Sequence, residues 1–127
     1  MSTPDERMRS LRWAWELLDV IQTGALLPRQ VVERAAAVAS RFPSPAQLVT
    51  LLAEVTPTLP PDLGTTIDEG RALFEEIQFG GFGSEATRRS VLYTLRHYPL
   101  SGAFHWADSA CAGQPLGLST WLKPEEG

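Results

Sequence analysis

The sequence predicts an all-α domain of about six helices, arranged as two related three-helix units packed into a pseudo-symmetric bundle. Three observations predict it. Apolar residues recur at helical spacing between well-marked caps. Strand signals, meaning alternating apolar residues bounded by turn residues, are sparse. One stretch also occurs twice: Leu17 to Leu48 align without a gap on Leu73 to Phe104, at a constant offset of 56 positions (Leu17 to Leu73). Ile21 then faces Ile77, Gln22 faces Gln78, Gly24 faces Gly80 and Pro43 faces Pro99, while Leu18 with Phe74, Phe42 with Tyr98 and Leu48 with Phe104 are conservative pairs. Two copies are too few for a free-standing solenoid, so they are expected to pack on each other around a shared core. The expected organisation is a single domain over 1–127, with a first unit of about 3–54, a connector at 55–65, a second unit of about 66–112 and an extended tail at 113–127.

Each element has its own start and stop. Thr3 and Glu6 form a capping box, Pro4 suits the first helical position, and Met8, Leu11, Trp15 and Leu18 recur along one face, with Ala14, Leu17 and Ile21 beside them. Trp13 and Val20 fall past the edge of that stripe, close to one another. Pro28 opens an alanine-rich second helix that Pro43 ends. Ser44 and Gln47 make a second capping box for a short third helix carrying Leu48, Val49, Leu51 and Leu52. After a proline-rich connector, Thr66 is expected to cap a fourth helix with Leu73, Phe74 and Ile77, which breaks at the glycine-rich stretch Phe79 to Gly83. Ser84 caps a fifth helix whose inner face is expected to hold Val91, Leu92, Leu95 and Tyr98. Leu100 to Ala112 accommodate a further short helix.

At 127 residues the chain suits one compact domain that folds without a disulfide or metal. Its single cysteine, Cys111, cannot form an internal disulfide, in keeping with a reducing compartment. The charged amino terminus lacks the apolar run of a secretory signal and no stretch reaches the length of a membrane span, so the expected location is cytoplasmic, without membrane contact. Eleven Lys and Arg stand against 15 Asp and Glu, and the excess acid lies in the second half of the chain. That balance argues against nucleic-acid binding, which rests on neutralising many phosphates.

The opening Thr3-Pro4-Asp5-Glu6-Arg7-Met8-Arg9 and the helix end Leu95-Arg96-His97-Tyr98-Pro99, with a weaker echo at Ser40-Arg41-Phe42-Pro43, resemble a family of small uncharacterised proteobacterial proteins. The family carries a Pro-Asp-Glu-Arg-x-Arg opening and an Arg-His-Tyr-Pro helix end. The resemblance implies a small helical protein and no catalytic residue, and the tail beyond Phe104 lies outside it.

Candidate chemistry is thin. His97, His105, Asp108 and Cys111 are the residues an enzyme would use, and on a helix the last three would share a face at three-residue steps. The paired, closely spaced ligands of a zinc site and any local signature of a Cys and His nucleophilic pair are missing, so neither a metal nor a cofactor is expected. His97, at a helix end, is placed to meet the last carbonyls. The stretch Phe79 to Gly83 follows a helix and the acids Glu75 and Glu76, unlike a phosphate-binding loop. The second and third helices invite comparison with a helix-turn-helix, but Ala46 to Glu54 offer no Arg or Lys to DNA. Arg89 and Arg96 share a face of the fifth helix, which suits a solvated surface or an anionic partner.

The expectation is therefore a small non-catalytic protein, of inhibitor or immunity type, that binds another macromolecule, either a protein partner or a second copy of itself. The alternative is a small enzyme using His97, His105, Asp108 or Cys111. Trp13, Val20, Phe79 and Phe82 are the candidate binding residues, because an exposed tryptophan is a common interface anchor and the glycine-rich turn can adapt. The competing expectation is that Trp121 in the tail folds back over Trp13 and Val20.

Overall fold

A computed structural model describes residues 2–24, 26–54, 59–108 and 118–125, apart from the side chains of Trp106 and Ala107. Its elements are α1 (Pro4–Gln22), α2 (Arg29–Ala39), α3 (Pro45–Ala53), α4 (Leu63–Gly80), α5 (Glu85–His97), a short 3-10 helix (His105–Asp108) and α6 (Leu118–Trp121). Among the described residues there is no strand, and no helix is long and apolar enough to cross a membrane.

Local chemistry explains most of the boundaries. The Thr3 hydroxyl accepts the Glu6 N–H at 3.2 Å while the Glu6 carboxylate accepts the Thr3 N–H at 2.9 Å, which satisfies two donors that an uncapped helix leaves orphaned. Ser44 and Gln47 repeat the device on α3, and the Ser84 hydroxyl accepts the Thr87 N–H on α5. Gly81, in the left-handed conformation at φ 67°, closes α4.

The four long helices form a ring around one apolar core. α1 packs on α2 and α5, and α4 packs on the same two helices from the opposite corner. α3 and α6 lie against α1, and the 3-10 helix lies against α4. α1 and α5 run antiparallel, since His97 at the end of α5 meets Glu6 at the start of α1. The core is filled by Leu11, Leu18, Ile21, Leu73, Phe74 and Ile77, together with Phe104 and Leu122 from the later chain.

Close backbone approach depends on two glycines. At Gly70 an added Cβ would stand 2.7 Å from the Tyr98 hydroxyl and 3.4 Å from the Phe42 ring. The open space lets Tyr98 donate to the Ile67 carbonyl at 2.5 Å, with its ring edge-on to Phe74 at 5.8 Å. Burial pushes the Tyr98 phenol well above its ordinary pKa, so it remains a donor. At Gly64 an added Cβ would run into the Phe104 carbonyl, so the first turn of α4 lodges against the backbone leading into the 3-10 helix.

Several expectations need correction. Trp15 is 41% exposed and not on the buried stripe, because at 3.6 residues per turn the stripe runs through Leu11, Ala14, Leu18 and Ile21, and Trp15 rotates out towards α2. Leu92 is 52% exposed for the same reason: the buried line of α5 is Val91, Thr94 and Tyr98. Val49 likewise faces outward from α3. Thr66 does not cap α4, which begins three residues earlier, and is buried within it. Of the short helix expected within 100–112, the described residues up to Asp108 form a turn and one 3-10 helix, and the helix Leu118–Trp121 lies in the tail expected to be extended.

Gly64→Ala is expected to lower unfolding stability by about 1–3 kcal/mol, the usual cost of overpacking a closed site. Urea unfolding with an unchanged m-value measures this; wild-type stability in the variant would mean that α4 is not lodged on Phe104.

Candidate functional site

Among the polar candidates, His97, His105 and Asp108 each serve an identified structural contact. His97 does not meet the last carbonyls of α5. Its Nε2 lies 3.1 Å from the Glu6 carboxylate and its Nδ1 lies 2.9 Å from the Ser2 hydroxyl, which fastens the end of α5 to the start of α1. The carbonyls are taken by others: the Ser10 hydroxyl donates to the His97 carbonyl, and the Arg71 guanidinium donates to those of Tyr98 and Pro99. The Thr3 N–H, followed by the Thr3 hydroxyl and more weakly His97, holds the Glu6 carboxyl below its ordinary pKa.

His105 Nε2 stands 3.1 Å from an Asp68 carboxylate oxygen, and Asp68 also accepts the Gly102 N–H. Asp108 caps α4 from a distance. Its carboxylate accepts the Gly64 N–H at 2.8 Å, the Thr65 N–H at 2.7 Å and the Thr65 hydroxyl at 2.6 Å. Asp62, at the usual capping position, is left-handed with φ 57° and makes no such bond. Partial burial pushes the Asp108 pKa upward, but the Thr65 hydroxyl and the two N–H groups, with His105 nearby, outweigh it and hold the carboxyl below its ordinary range. Cys111 lies outside the described residues, so the expected His105, Asp108 and Cys111 face is only partly described. Among the described residues no group of three or more His, Cys, Asp and Glu side chains is placed to hold a metal ion.

A groove of about 270 Å³ opens between α1 and α5. Trp13, Glu16, Leu17 and Val20 form one wall and Ser90, Tyr93 and Thr94 the other. Leu17 and Thr94 are buried at its base, Trp13 is half-buried, and Val20 and Tyr93 are 50% and 52% exposed. Tyr93 also borders a second hollow with Leu92, Leu95 and Arg96. On the other flank of α1, a third hollow joins Trp15, Asp19 and Val20 to Ala39 of α2.

Trp13 and Val20 thus share the groove, and neither Phe79 nor Phe82 lines it. Phe79 is 82% exposed at the end of α4, and Phe82 is half-buried with its ring over Gly80. Trp121 does not line it either. It packs on Phe104 at 5.8 Å and under the Arg7 guanidinium at 5.0 Å, with Arg7 Nε donating to its carbonyl at 2.7 Å. Sequence reasoning missed Tyr93 as a site residue. The signal was the unbroken run Val91, Leu92 and Tyr93, which no single helical stripe can bury.

No family model matches the chain, and no curated protein or solved structure matches it significantly.

The lowered Asp108 pKa fixes the sign of a pH effect. A carboxylate more acidic in the folded state stabilises fully above its unfolded pKa of about 3.9, and that contribution is lost as the pH falls through the folded value. Asp108→Asn is therefore expected to be less stable than wild type by about 0.5–2 kcal/mol at neutral pH, as for a lost helix cap, with the gap narrowing below about pH 4. Chemical unfolding at several pH values checks this; a gap of constant size would mean that the charge is not what caps α4.

Proposed function

We propose that this chain is a non-catalytic protein-binding module that acts through the α1/α5 face, and that the face diverged within a duplicated, pseudo-symmetric bundle. The duplication is supported by which positions are buried. Ser10 and Thr66, Leu11 and Ile67, Ala14 and Gly70, Leu18 and Phe74, and Ile21 and Ile77 are buried at the same offset in α1 and α4. Ala35 with Val91, Val38 with Thr94 and Phe42 with Tyr98 continue it through α2 and α5. α2 starts at Arg29 and α5 at Glu85, again at that offset. A two-fold that exchanges the units would turn the α1/α5 contact into the α4/α2 contact, and both contacts are present.

One comparison carries the functional reading. On the α4/α2 face, Glu69 stands at the counterpart of Trp13, Glu76 at that of Val20, Arg34 at that of Ser90 and Ala37 at that of Tyr93. There Arg34 pairs with Glu76, and Arg41 pairs with Glu69 at 2.5 Å, so charged side chains bridge the two helices. A helix pair of this kind is thus compatible with charged and small residues at these positions, and its packing does not call for a surface tryptophan, valine and tyrosine. Clustered exposed apolar residues with aromatic anchors are the usual mark of a protein interface. A catalytic role for His97, His105 or Asp108 is less favoured, because each already holds a cap or a cross-link.

Affinity purification from the native host with three baits tests the reading. A partner retained by wild type and by Ala37→Glu, but lost by Tyr93→Ala, is the expected result. Trp13→Ala should then weaken that binding by more than about 1 kcal/mol with the helical signal unchanged. A partner lost only by Ala37→Glu would place the surface on the opposite side of the bundle.

A further inference from the structure

We propose that the cavity where the start of α1, the end of α5 and α6 meet is a binding site for a small organic anion, with a carboxylate or phosphate head on an apolar body. Its volume of about 670 Å³ lies within the range of about 300–1,000 Å³ usual for small-molecule sites. It shares no lining residue with the α1/α5 groove, so the proposal stands independently of the reading of that groove.

Charge is the first ground. Arg7 from α1, Arg71 from α4 and Arg96 from α5 all line the cavity, and among the described residues no carboxylate does, although acids outnumber bases in the chain. Glu75, 3.8 Å from Arg71 Nε, and Glu6, paired with His97, both lie outside the lining. Arg7 and Arg96 have no acidic partner among the described residues. A concave wall that carries one sign of charge focuses the field and concentrates the opposite ion.

The second ground is that two of these cations are fixed before any ligand arrives, which lowers the ordering cost of binding. Arg7 donates to the Trp121 carbonyl at 2.7 Å and to the Ser2 carbonyl at 2.6 Å, and Arg71 Nη1 donates to the Tyr98 and Pro99 carbonyls, both at 3.2 Å. Carbonyls hold a guanidinium without cancelling its charge. Arg71 Nη2 keeps its N–H groups, for which the described residues offer no acceptor. The Arg71 side chain is only 16% exposed, so its charge is poorly hydrated and attracts an anion more strongly. Arg96 is exposed and bonded to none of the described side chains, so it can close on the ligand, and a guanidinium fork matches the paired oxygens of a carboxylate or phosphate. His97 supplies no donor, because Glu6 and Ser2 occupy both ring nitrogens. Trp121, Leu95, Leu100 and Ala103 complete the wall, which favours an anion with an apolar body over a bare inorganic ion.

NMR titration of the full chain with phenyl phosphate, benzoate, inorganic phosphate and benzyl alcohol tests the proposal. Phenyl phosphate or benzoate is expected to saturate a single site and to shift the Leu100 and Ala103 amides and the Arg71 Nε–H, the tighter of the two identifying the head group. Inorganic phosphate should bind about tenfold or more weakly than phenyl phosphate, and benzyl alcohol, which lacks the charge, should not saturate the site. Arg96→Gln should weaken binding of the preferred anion by about tenfold or more. Arg88→Gln, the same change of charge on α5 outside this cavity, should leave it unaltered. Failure of both phenyl phosphate and benzoate to saturate the protein overturns the proposal. So does equal binding of benzyl alcohol, which would make the cavity merely apolar, and so does an equal loss in Arg88→Gln and Arg96→Gln, which would reduce the effect to overall charge.

Discussion

The close approach at Gly70 is the constraint on which most of the bundle depends. Without a Cβ there, the Tyr98 phenol reaches the Ile67 carbonyl and the Phe42 ring lies alongside, so the ends of α5 and α2 converge on the same turn of α4. The contacts around this turn follow from that placement. Arg71, the next residue, covers the Tyr98 and Pro99 carbonyls that end α5. His97, one residue before Tyr98, reaches Glu6 and Ser2 at the start of α1. A buried phenol left without its acceptor would cost about 1–3 kcal/mol, so this end of the bundle has little freedom to rearrange.

The start of α4 is fixed by an acceptor remote in sequence. Four N–H groups at any helix start need acceptors, and here Asp108 serves two of them, those of Gly64 and Thr65, across a separation of 44 residues from Gly64. The bond ties the 3-10 helix to α4, and Asp68 does the same one turn further on through Gly102 and His105. Residues that look catalytic in isolation are therefore the fasteners of a segment with little regular structure of its own. A carboxylate receiving three hydrogen bonds and a histidine facing a carboxylate are arrangements that active sites share with helix ends.

What was legible in the sequence was local. Thr3, Ser44 and Ser84 act on N–H groups three residues away, and the α1 core obeys a period that one helix sets by itself, so both could be read without knowing the fold. Where the decisive partner is distant, the reading failed. Thr66 looked like a cap because Asp108 was out of view, and His97 looked like a carbonyl partner because Glu6 lies 91 positions earlier. Trp15 and Leu92 were misplaced for a subtler reason. A stretch richer in apolar residues than one face can hold leaves the choice of the buried ones to neighbouring helices, and small residues such as Ala14 and Thr94 took the inner positions. Trp13 and Val20 were identified as a pair, whereas the opposite wall of their groove comes from α5, more than 60 residues away in the chain.

Under the proposed duplication, the unequal fate of the two inter-unit faces has a simple energetic basis. Exchange of the units is constrained in the interior, where a lost methylene or an added one costs on the order of 1 kcal/mol or more. It is barely constrained at the rim. The Arg34 and Glu76 pair and the Arg41 and Glu69 pair have side chains about 40–47% exposed, and ion pairs of that exposure contribute about 0–1 kcal/mol each. Replacing such pairs by Trp13, Val20 and Tyr93 on the other face therefore forfeits little stability and leaves the buried pattern untouched. What changes is the surface. One face presents bridged charges that stay hydrated, and the other presents an apolar groove whose exposure to water has a free-energy cost of about 25 cal/mol per Å² until something covers it. A duplicated bundle can thus acquire a binding face through a few rim substitutions, while its twin face retains the polar character of an ordinary surface.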